Sequence, residues 1–123
     1  MRVLLDTHVV LWWLSDDPAL ADDIKGLLDA EPDAYVSAAT LWEISIKQTL
    51  GKLGPADLAE RVRDAGFREL PMTMAHALVA GRLPEIHRDP FDRMLVAQAQ
   101  CEDLTLVTRD EYIHKYDVLI LSA

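Results

Sequence analysis

The sequence has 123 residues, half of them apolar, which is enough for one domain with a single core. The formal net charge of −9 argues against a simple basic nucleic-acid-binding protein, because phosphates would be repelled without local cations or a metal ion. No apolar run approaches the roughly 20 residues of a membrane span, and the run after Arg2 is too short for a signal peptide.

Short apolar runs alternate with helical patterns along the whole chain. The apolar runs predict strands at residues 3–5, 34–36, 67–70, 104–107 and 118–121. The helical patterns cover residues 7–14, 18–30, 38–50, 55–65, 74–81, 90–102 and 110–115. Prolines near helix starts and glycines near helix ends support these bounds, at Pro18, Pro55, Pro90, Gly51, Gly66 and Gly81. The alternation predicts one α/β domain over residues 1–123, a three-layer α/β/α sandwich with a mostly parallel sheet of about five strands.

Cys101 is the single cysteine, so no intramolecular disulfide can form. This favours a reducing cytoplasm as the location of the protein. We expect the Cys101 side chain to lie on a buried helix face.

Two aspartates follow predicted strands at their carboxyl ends, where ligands bind in parallel sheets. Asp6 ends the first strand, and Asp110 lies two residues beyond Thr108 in "LTLVTRD". If the two strands are neighbours, both carboxylates face one crevice. A structural alternative exists for each, because Asp6 has the position of a helix N-cap and Thr108 with Glu111 spells a capping box.

Two further acids lie on predicted helices. Glu43 in "SAATLWEISIKQTL" shares a helical face with apolar residues, yet Thr40 and Glu43 also spell a capping box, and Lys47 is placed for an ion pair with Glu43. Asp92 in "RDPFDRMLVAQAQ" heads an apolar stripe, with Asp89 available as the N-cap, although the helix dipole alone also favours an acid there.

Taken together, Asp6, Glu43, Asp92 and Asp110 predict a metal site. Buried carboxylates repel one another and raise one another's pKa, a cost that a divalent cation removes. Ligands that are all oxygen suit Mg²⁺ or Mn²⁺, which keep waters for substrate phosphates. The chemistry this favours is metal-assisted phosphodiester hydrolysis, with one or two ions. A metal would also make an acidic pocket attractive to phosphate.

At these residues the sequence resembles the PIN-domain ribonucleases, specifically the VapC-type toxins of toxin–antitoxin pairs. The matching segments are "LLDTHVVLWWL", "SAATLWEISIK", "DPFDRMLVAQA" and "LTLVTRD", in family order and across essentially the whole chain. The resemblance implies that Asp6, Glu43, Asp92 and Asp110 form the acidic catalytic and metal site, with Thr108 as a supporting hydroxyl. It also implies Mg²⁺- or Mn²⁺-dependent endoribonuclease activity on RNA, a homodimer, and inhibition by a cognate antitoxin protein.

Histidines, tryptophans and arginines elsewhere in the sequence and beside the four acids suggest further hypotheses. The histidines His8, His76, His87 and His114 are scattered, which disfavours zinc, and we assign them no role in the site. Either Trp12 or Trp13 is expected near the surface, and with Leu11 or Trp42 it would contribute to an antitoxin groove or a dimer contact. The alternative is that both lie in the core. The arginines Arg82, Arg88, Arg93 and Arg109 would bind RNA phosphates, or Arg93 and Arg109 would pair with the acids beside them.

Two other function classes compete with a nuclease. One is another aspartate-based phosphotransfer enzyme, but a dehalogenase-like phosphatase needs a second aspartate where this chain has His8. A receiver domain needs an acidic pair in its first loop and a lysine after its last strand, and neither is evident. The other is a catalytically silent PIN-like binding module whose acids serve as helix caps.

Overall fold

The computed structural model describes all residues, 1–123, as a five-stranded sheet covered by helices on both faces. The strands are β1 (Val3–Leu5), β2 (Ala34–Ser37), β3 (Arg68–Leu70), β4 (Thr105–Thr108) and β5 (Ile120–Ser122). The helices are α1 (Thr7–Leu14), α2 (Asp22–Ala30), α3 (Ala38–Thr49), α4 (Leu58–Arg63), α5 (Met74–Arg82) and α6 (Pro90–Glu102). All four strand pairings are parallel in the order β3-β2-β1-β4-β5. The predicted three-layer fold is therefore confirmed.

Strand β1 occupies the centre of the sheet and separates two hydrophobic cores. Val3 and Leu5 pack with α1, α2 and α4 on one face, whereas Leu4 packs with α5 and α6 on the other. All three side chains are fully buried, as expected for a central parallel strand. Leu5 pairs with Val107 of β4, so the residues that follow these two strands emerge side by side at the carboxyl edge of the sheet.

Several predicted helix bounds are wrong, and side-chain capping explains some of them. The helix predicted from residue 18 begins only at Asp22, because the Asp17 carboxylate accepts the Ala19 N–H (2.8 Å) and forms a turn around Pro18. The helix predicted at 55–65 is shorter, and Gly81 lies inside α5 instead of ending it.

The helix predicted at 110–115 is also wrong. Asp110 Oδ1 accepts the N–H groups of Tyr112 and Ile113 (2.8 and 3.2 Å), which leaves only a 3₁₀ turn over Ile113–Lys115.

The two capping boxes expected at Thr40 and Thr108 are absent. Ser37 is the N-cap of α3, since its Oγ accepts the Ala39 N–H (3.0 Å), and Thr40 and Glu43 consequently lie inside the helix. Thr108 is the last residue of β4 and uses its hydroxyl elsewhere.

Two further expectations can be compared with the structure. Cys101 is exposed on α6, so the predicted buried position is wrong. No helix combines the length and the apolar character that a membrane crossing demands.

Candidate active site

Asp6 and Thr108 join β1 and β4 at the carboxyl edge of the sheet. The Thr108 hydroxyl donates a hydrogen bond to Oδ2 of Asp6 (2.6 Å) and accepts the N–H of Asp110 (3.1 Å). Asp6 has the position of the α1 N-cap but makes no side-chain cap hydrogen bond there, although the His8 main chain in the first turn of α1 acts to lower its pKa. Burial raises the pKa of Asp6, although the Thr108 hydrogen bond acts in the opposite direction. Asp6 is thus a buried carboxylate held in place by a neighbouring strand.

Asp92 reaches the same edge from the start of α6. As predicted, Asp89 is the N-cap, and its Oδ1 accepts the N–H groups of Phe91 and Asp92 (2.8 and 3.1 Å) behind Pro90 at the helix start. Because Asp89 caps the helix, the Asp92 side chain is free to point inward, and only 16% of it is exposed.

The ionisation of Asp92 is strongly disfavoured in this position. Burial, followed by the charges of Asp6, Asp89, Asp110 and Glu43, raises the pKa of Asp92 from 3.8 to about 8. The carboxylates from β1, α3, α6 and the segment after β4 therefore act on one another electrostatically. Such mutual repulsion is a cost to the fold that a bound cation would remove.

Glu43 lies beside this group, but its oxygen atoms already have partners. The Thr7 hydroxyl donates to Oε1 (2.7 Å), and Lys47 approaches Oε2 (2.9 Å) in the predicted i,i+4 pair. The hydrogen bond to Glu43 raises the pKa of Lys47. The apolar face expected around Glu43 is wrong in part, because Ile46 and Leu50 are exposed although Glu43 itself is 5% exposed.

His87 also belongs to this group, which the sequence reasoning missed. Its Nε2 atom lies 2.9 Å from Oδ2 of Asp92 and 3.3 Å from Oδ2 of Asp110. His87 precedes the α6 N-cap by two residues and is held to it by the Asp89 N–H, which donates to Nδ1 (3.2 Å). His8, by contrast, is exposed.

The donor set fits a hard divalent cation. Asp6, Asp92 and Asp110 offer carboxylate oxygens at one edge of the sheet, where burial and then the charges of the neighbouring acids raise the pKa of Asp92. His87, Asp92 and Asp110 bring one possible ligand atom each to within 4.8 Å of one another. Lys47 compensates Glu43, so the uncompensated charge lies mainly on the aspartates.

Two arginines expected to bind phosphate or pair with site acids have structural roles instead. Arg93 donates to the carbonyl oxygen of Ala80 in the last turn of α5. It also donates to the carbonyls of Leu83, Pro84 and His87 in the segment after α5, and the four distances are 2.8 to 3.4 Å. Arg109 donates to the carbonyls of Ala19 and Ala123 and lies 4.6 Å over the Trp12 ring. Arg82 and Arg88 remain exposed.

The adjacent tryptophans are both partly buried, and Trp42 is the exposed one, at 57%. Trp13 packs on Phe67 at 4.8 Å and donates to Asp29 (2.8 Å). Trp12 and Leu11 line a groove of about 290 Å³ between α1 and residues 53–61.

Comparison with known proteins agrees with this architecture. Ribonuclease VapC22 of Mycobacterium tuberculosis (strain ATCC 25618 / H37Rv) is 28% identical, and the match covers 93% of this chain and 91% of that protein. The VapBC2 structure from Rickettsia felis, bound to a DNA fragment from its promoter, is 14% identical with a TM-score of 0.77, covering 100% of this chain and 99% of that one. The FitAcB structure from Neisseria gonorrhoeae is 24% identical with a TM-score of 0.71, covering 98% and 96%.

The family model described as PIN domain matches residues 3–119. This range includes strands β1 to β4 and all six helices, and it ends just before β5. This match agrees with the parallel five-stranded sheet and the acidic group at its carboxyl edge, and it shows that the chain belongs to the PIN domain family.

Proposed function

We propose that the protein is an endoribonuclease that depends on Mg²⁺ or Mn²⁺ and acts as the toxin of a toxin–antitoxin pair. The observation that carries the proposal is the convergence of carboxylates at the sheet edge, where burial and the charges of the other acids raise the pKa of Asp92 to about 8. RNA is the proposed substrate because the similar protein VapC22 is named a ribonuclease. A bound metal also reconciles a net charge of −9 with a phosphate-bearing substrate.

The residues of this site divide into ligands and supporting groups. Asp6, Asp92 and Asp110 hold the ion, which supplies Lewis-acid polarisation of the scissile phosphate and activation of water. Glu43 completes the acidic group, oriented by Thr7 and Lys47. The Thr108 hydroxyl fixes the orientation of Asp6.

An open cavity of about 760 Å³ lies on the His87 side of the site, lined by His87, Arg88, Glu85 and Arg93 but by none of the site carboxylates. Arg88 is exposed there and is suited to contact an RNA phosphate, whereas the Arg93 guanidinium is occupied by backbone carbonyls.

Cleavage of RNA by the purified chain tests the activity. Total RNA should be cut with Mg²⁺ or Mn²⁺ and left intact in EDTA. Asp92→Asn should lower the cleavage rate at least about 100-fold, the order expected for loss of one electrostatic group in an active site. Asp103→Asn is the matched control, because it makes the same chemical change at the exposed far end of α6, where the left-handed backbone (φ 56°) tolerates asparagine.

Cleavage that persists in EDTA and in Asp92→Asn would contradict the assignment. No cleavage under any condition would favour the catalytically silent binding module. Growth of cells expressing the chain adds the toxin test: arrest should require Asp92, and co-expression of reading frames that flank the gene should relieve it by supplying the antitoxin. We propose the groove beside Leu11 and Trp12 as the antitoxin contact, because Leu14, Leu53 and Leu58 add further apolar side chains to its lining.

We also propose that the chain forms a homodimer through α3. Trp42, Ile46 and Leu50 are spaced four residues apart on this helix and are 57%, 37% and 61% exposed. Trp42 extends the patch to Phe91 of α6, at 5.2 Å between ring centroids. An apolar stripe of this kind is typical of an interface, since a surface helix normally presents polar residues to water.

Ile46→Glu should convert the dimer to a monomer, because the interface would have to bury a charge without a partner. Light scattering coupled to gel filtration measures the mass. Leu119→Glu is the control, since Leu119 is 66% exposed in the segment before β5 and outside the stripe. A dimer that persists in Ile46→Glu would mean that α3 is not the interface.

A further inference from the structure

The His87 ring lies between two of the carboxylates that the proposed nuclease requires. Its Nε2 atom is 2.9 Å from Oδ2 of Asp92 and 3.3 Å from Oδ2 of Asp110, and 18% of the side chain is exposed. This arrangement has two interpretations. Either the imidazole is a further ligand, giving a mixed nitrogen and oxygen metal site, or it is a hydrogen-bond donor that holds the two carboxylates.

The hydrogen bond at the other ring nitrogen decides between them. The main-chain N–H of Asp89 donates to Nδ1 at 3.2 Å, so Nδ1 carries a lone pair. The neutral ring therefore has its hydrogen on Nε2. A nitrogen that bears this hydrogen has no lone pair for a metal ion. If the hydrogen moved to Nδ1, the Nδ1–H and the Asp89 N–H would point at each other, and the hydrogen bond between His87 and the α6 N-cap would be lost.

Three further contacts hold the loop and the ring in this orientation. The main-chain N–H of His87 donates to the Tyr116 hydroxyl (2.8 Å), and Arg93 lies 3.4 Å from the His87 carbonyl. The Tyr112 ring packs beside the imidazole, with 5.3 Å between centroids. Because these contacts come from separate elements of the fold, the imidazole is presented to the carboxylates in one orientation.

We propose that His87 is a positioning residue that donates its Nε2–H to Oδ2 of Asp110 and keeps Asp92 alongside, so that the ion is bound by oxygen atoms alone. This inference rests on the proposed metal-dependent function. In this role His87 affects metal binding indirectly, because it orients the carboxylates of Asp92 and Asp110 that bind the ion. It also predicts selectivity for hard cations such as Mn²⁺ and Mg²⁺ over zinc, since the site offers no nitrogen.

Two substitutions at one position separate the roles of the ring nitrogens. Glutamine places its amide nitrogen near the position of Nε2 and can still donate to Asp110, whereas asparagine reaches only as far as Nδ1. We expect His87→Asn to weaken Mn²⁺ binding about 10-fold and His87→Gln to stay within about 3-fold of the wild type, in the range known for groups that support metal ligands. Calorimetric titration with Mn²⁺ gives the affinities, and the unfolding midpoint of each variant shows that it is folded.

Pulsed electron paramagnetic resonance of the Mn²⁺-loaded wild type is the second measurement, and it needs no variant. We expect no hyperfine coupling from a directly bound imidazole nitrogen. Such a coupling would overturn the inference by making His87 a ligand. Equal affinities in the wild type and His87→Asn, or equal losses in both variants, would overturn the donor role. If Mn²⁺ does not bind the wild type and Asp92→Asn changes nothing, the proposed metal-dependent function itself fails.

Discussion

Asp92→Asn should be more stable than the wild type in the absence of metal, by a margin that grows with pH. The pKa of Asp92 is about 8 in the folded chain and 3.8 for the ordinary group. Between these values the folded state retains a proton that the unfolded state releases, so folding stability falls as pH rises. The loss of folding stability caused by Asp92 is absent below about pH 4, increases between about pH 4 and 8, and reaches its full size above about pH 8. Asparagine does not titrate and avoids it.

The size of the effect follows from the shift. Each pH unit contributes about 1.4 kcal/mol at most. Because the Asp92 side chain keeps some contact with water, we expect the stability difference to grow by about 2–4 kcal/mol from about pH 5 to pH 8. Urea unfolding in EDTA at both pH values measures it, with Asp103→Asn as the control whose difference from the wild type stays constant.

Addition of Mn²⁺ should reverse the order of stability, since the ion binds the folded wild type and the variant lacks one ligand. A difference that does not change with pH would mean that Asp92 ionises freely, and that the carboxylates do not strain the fold. If the wild type exceeds the variant in stability only when metal is bound, the carboxylates destabilise the metal-free protein. This is the pattern expected of residues retained for function.

The sheet and the positions of the acids were predictable because each depends on local pattern. Apolar runs define the strands, and the rule for parallel sheets places Asp6 and Asp110 at one edge once β1 and β4 are neighbours. The Asp89 cap and the inward turn of Asp92 were readable from "RDPFD", since proline at the helix start requires a cap before it.

What failed depends on contacts between distant segments or on competition between caps. The capping box predicted at Thr40 is absent because α3 begins three residues earlier, with Ser37 as its N-cap. Arg93 looked like a phosphate-binding residue, but the fold brings the carbonyls at the end of α5 to its guanidinium. His87 meets Asp110 across 23 residues of sequence, and no periodicity signals such a contact.

Thr108→Val should impair metal binding and cleavage without disturbing the packing of β4. Thr108 is fully buried, and valine replaces its hydroxyl with a methyl group, so the substitution removes two hydrogen bonds. One bond runs from the hydroxyl to Asp6 (2.6 Å) and the other from the Asp110 N–H to the hydroxyl (3.1 Å). The same oxygen thus links two proposed metal ligands that follow adjacent strands.

Loss of this link has two consequences of different size. The Asp6 carboxylate loses the hydrogen bond that offsets its burial, which raises its pKa further and costs about 1–3 kcal/mol of stability. Asp6 also becomes free to turn, and we expect the Mn²⁺ dissociation constant to rise about 10- to 100-fold, with a similar loss of cleavage rate. Calorimetric titration and the RNA assay measure the two.

Thr108→Ser is the matched control, because serine keeps the hydroxyl and removes only a methyl group. It should bind Mn²⁺ within about 3-fold of the wild type, even if the small cavity costs about 1 kcal/mol of stability. If serine and valine impair metal binding equally, the methyl packing and not the hydroxyl supports the site. If neither does, Asp6 is held by its burial alone, and the strand-to-strand hydrogen bond contributes to the fold without contributing to catalysis.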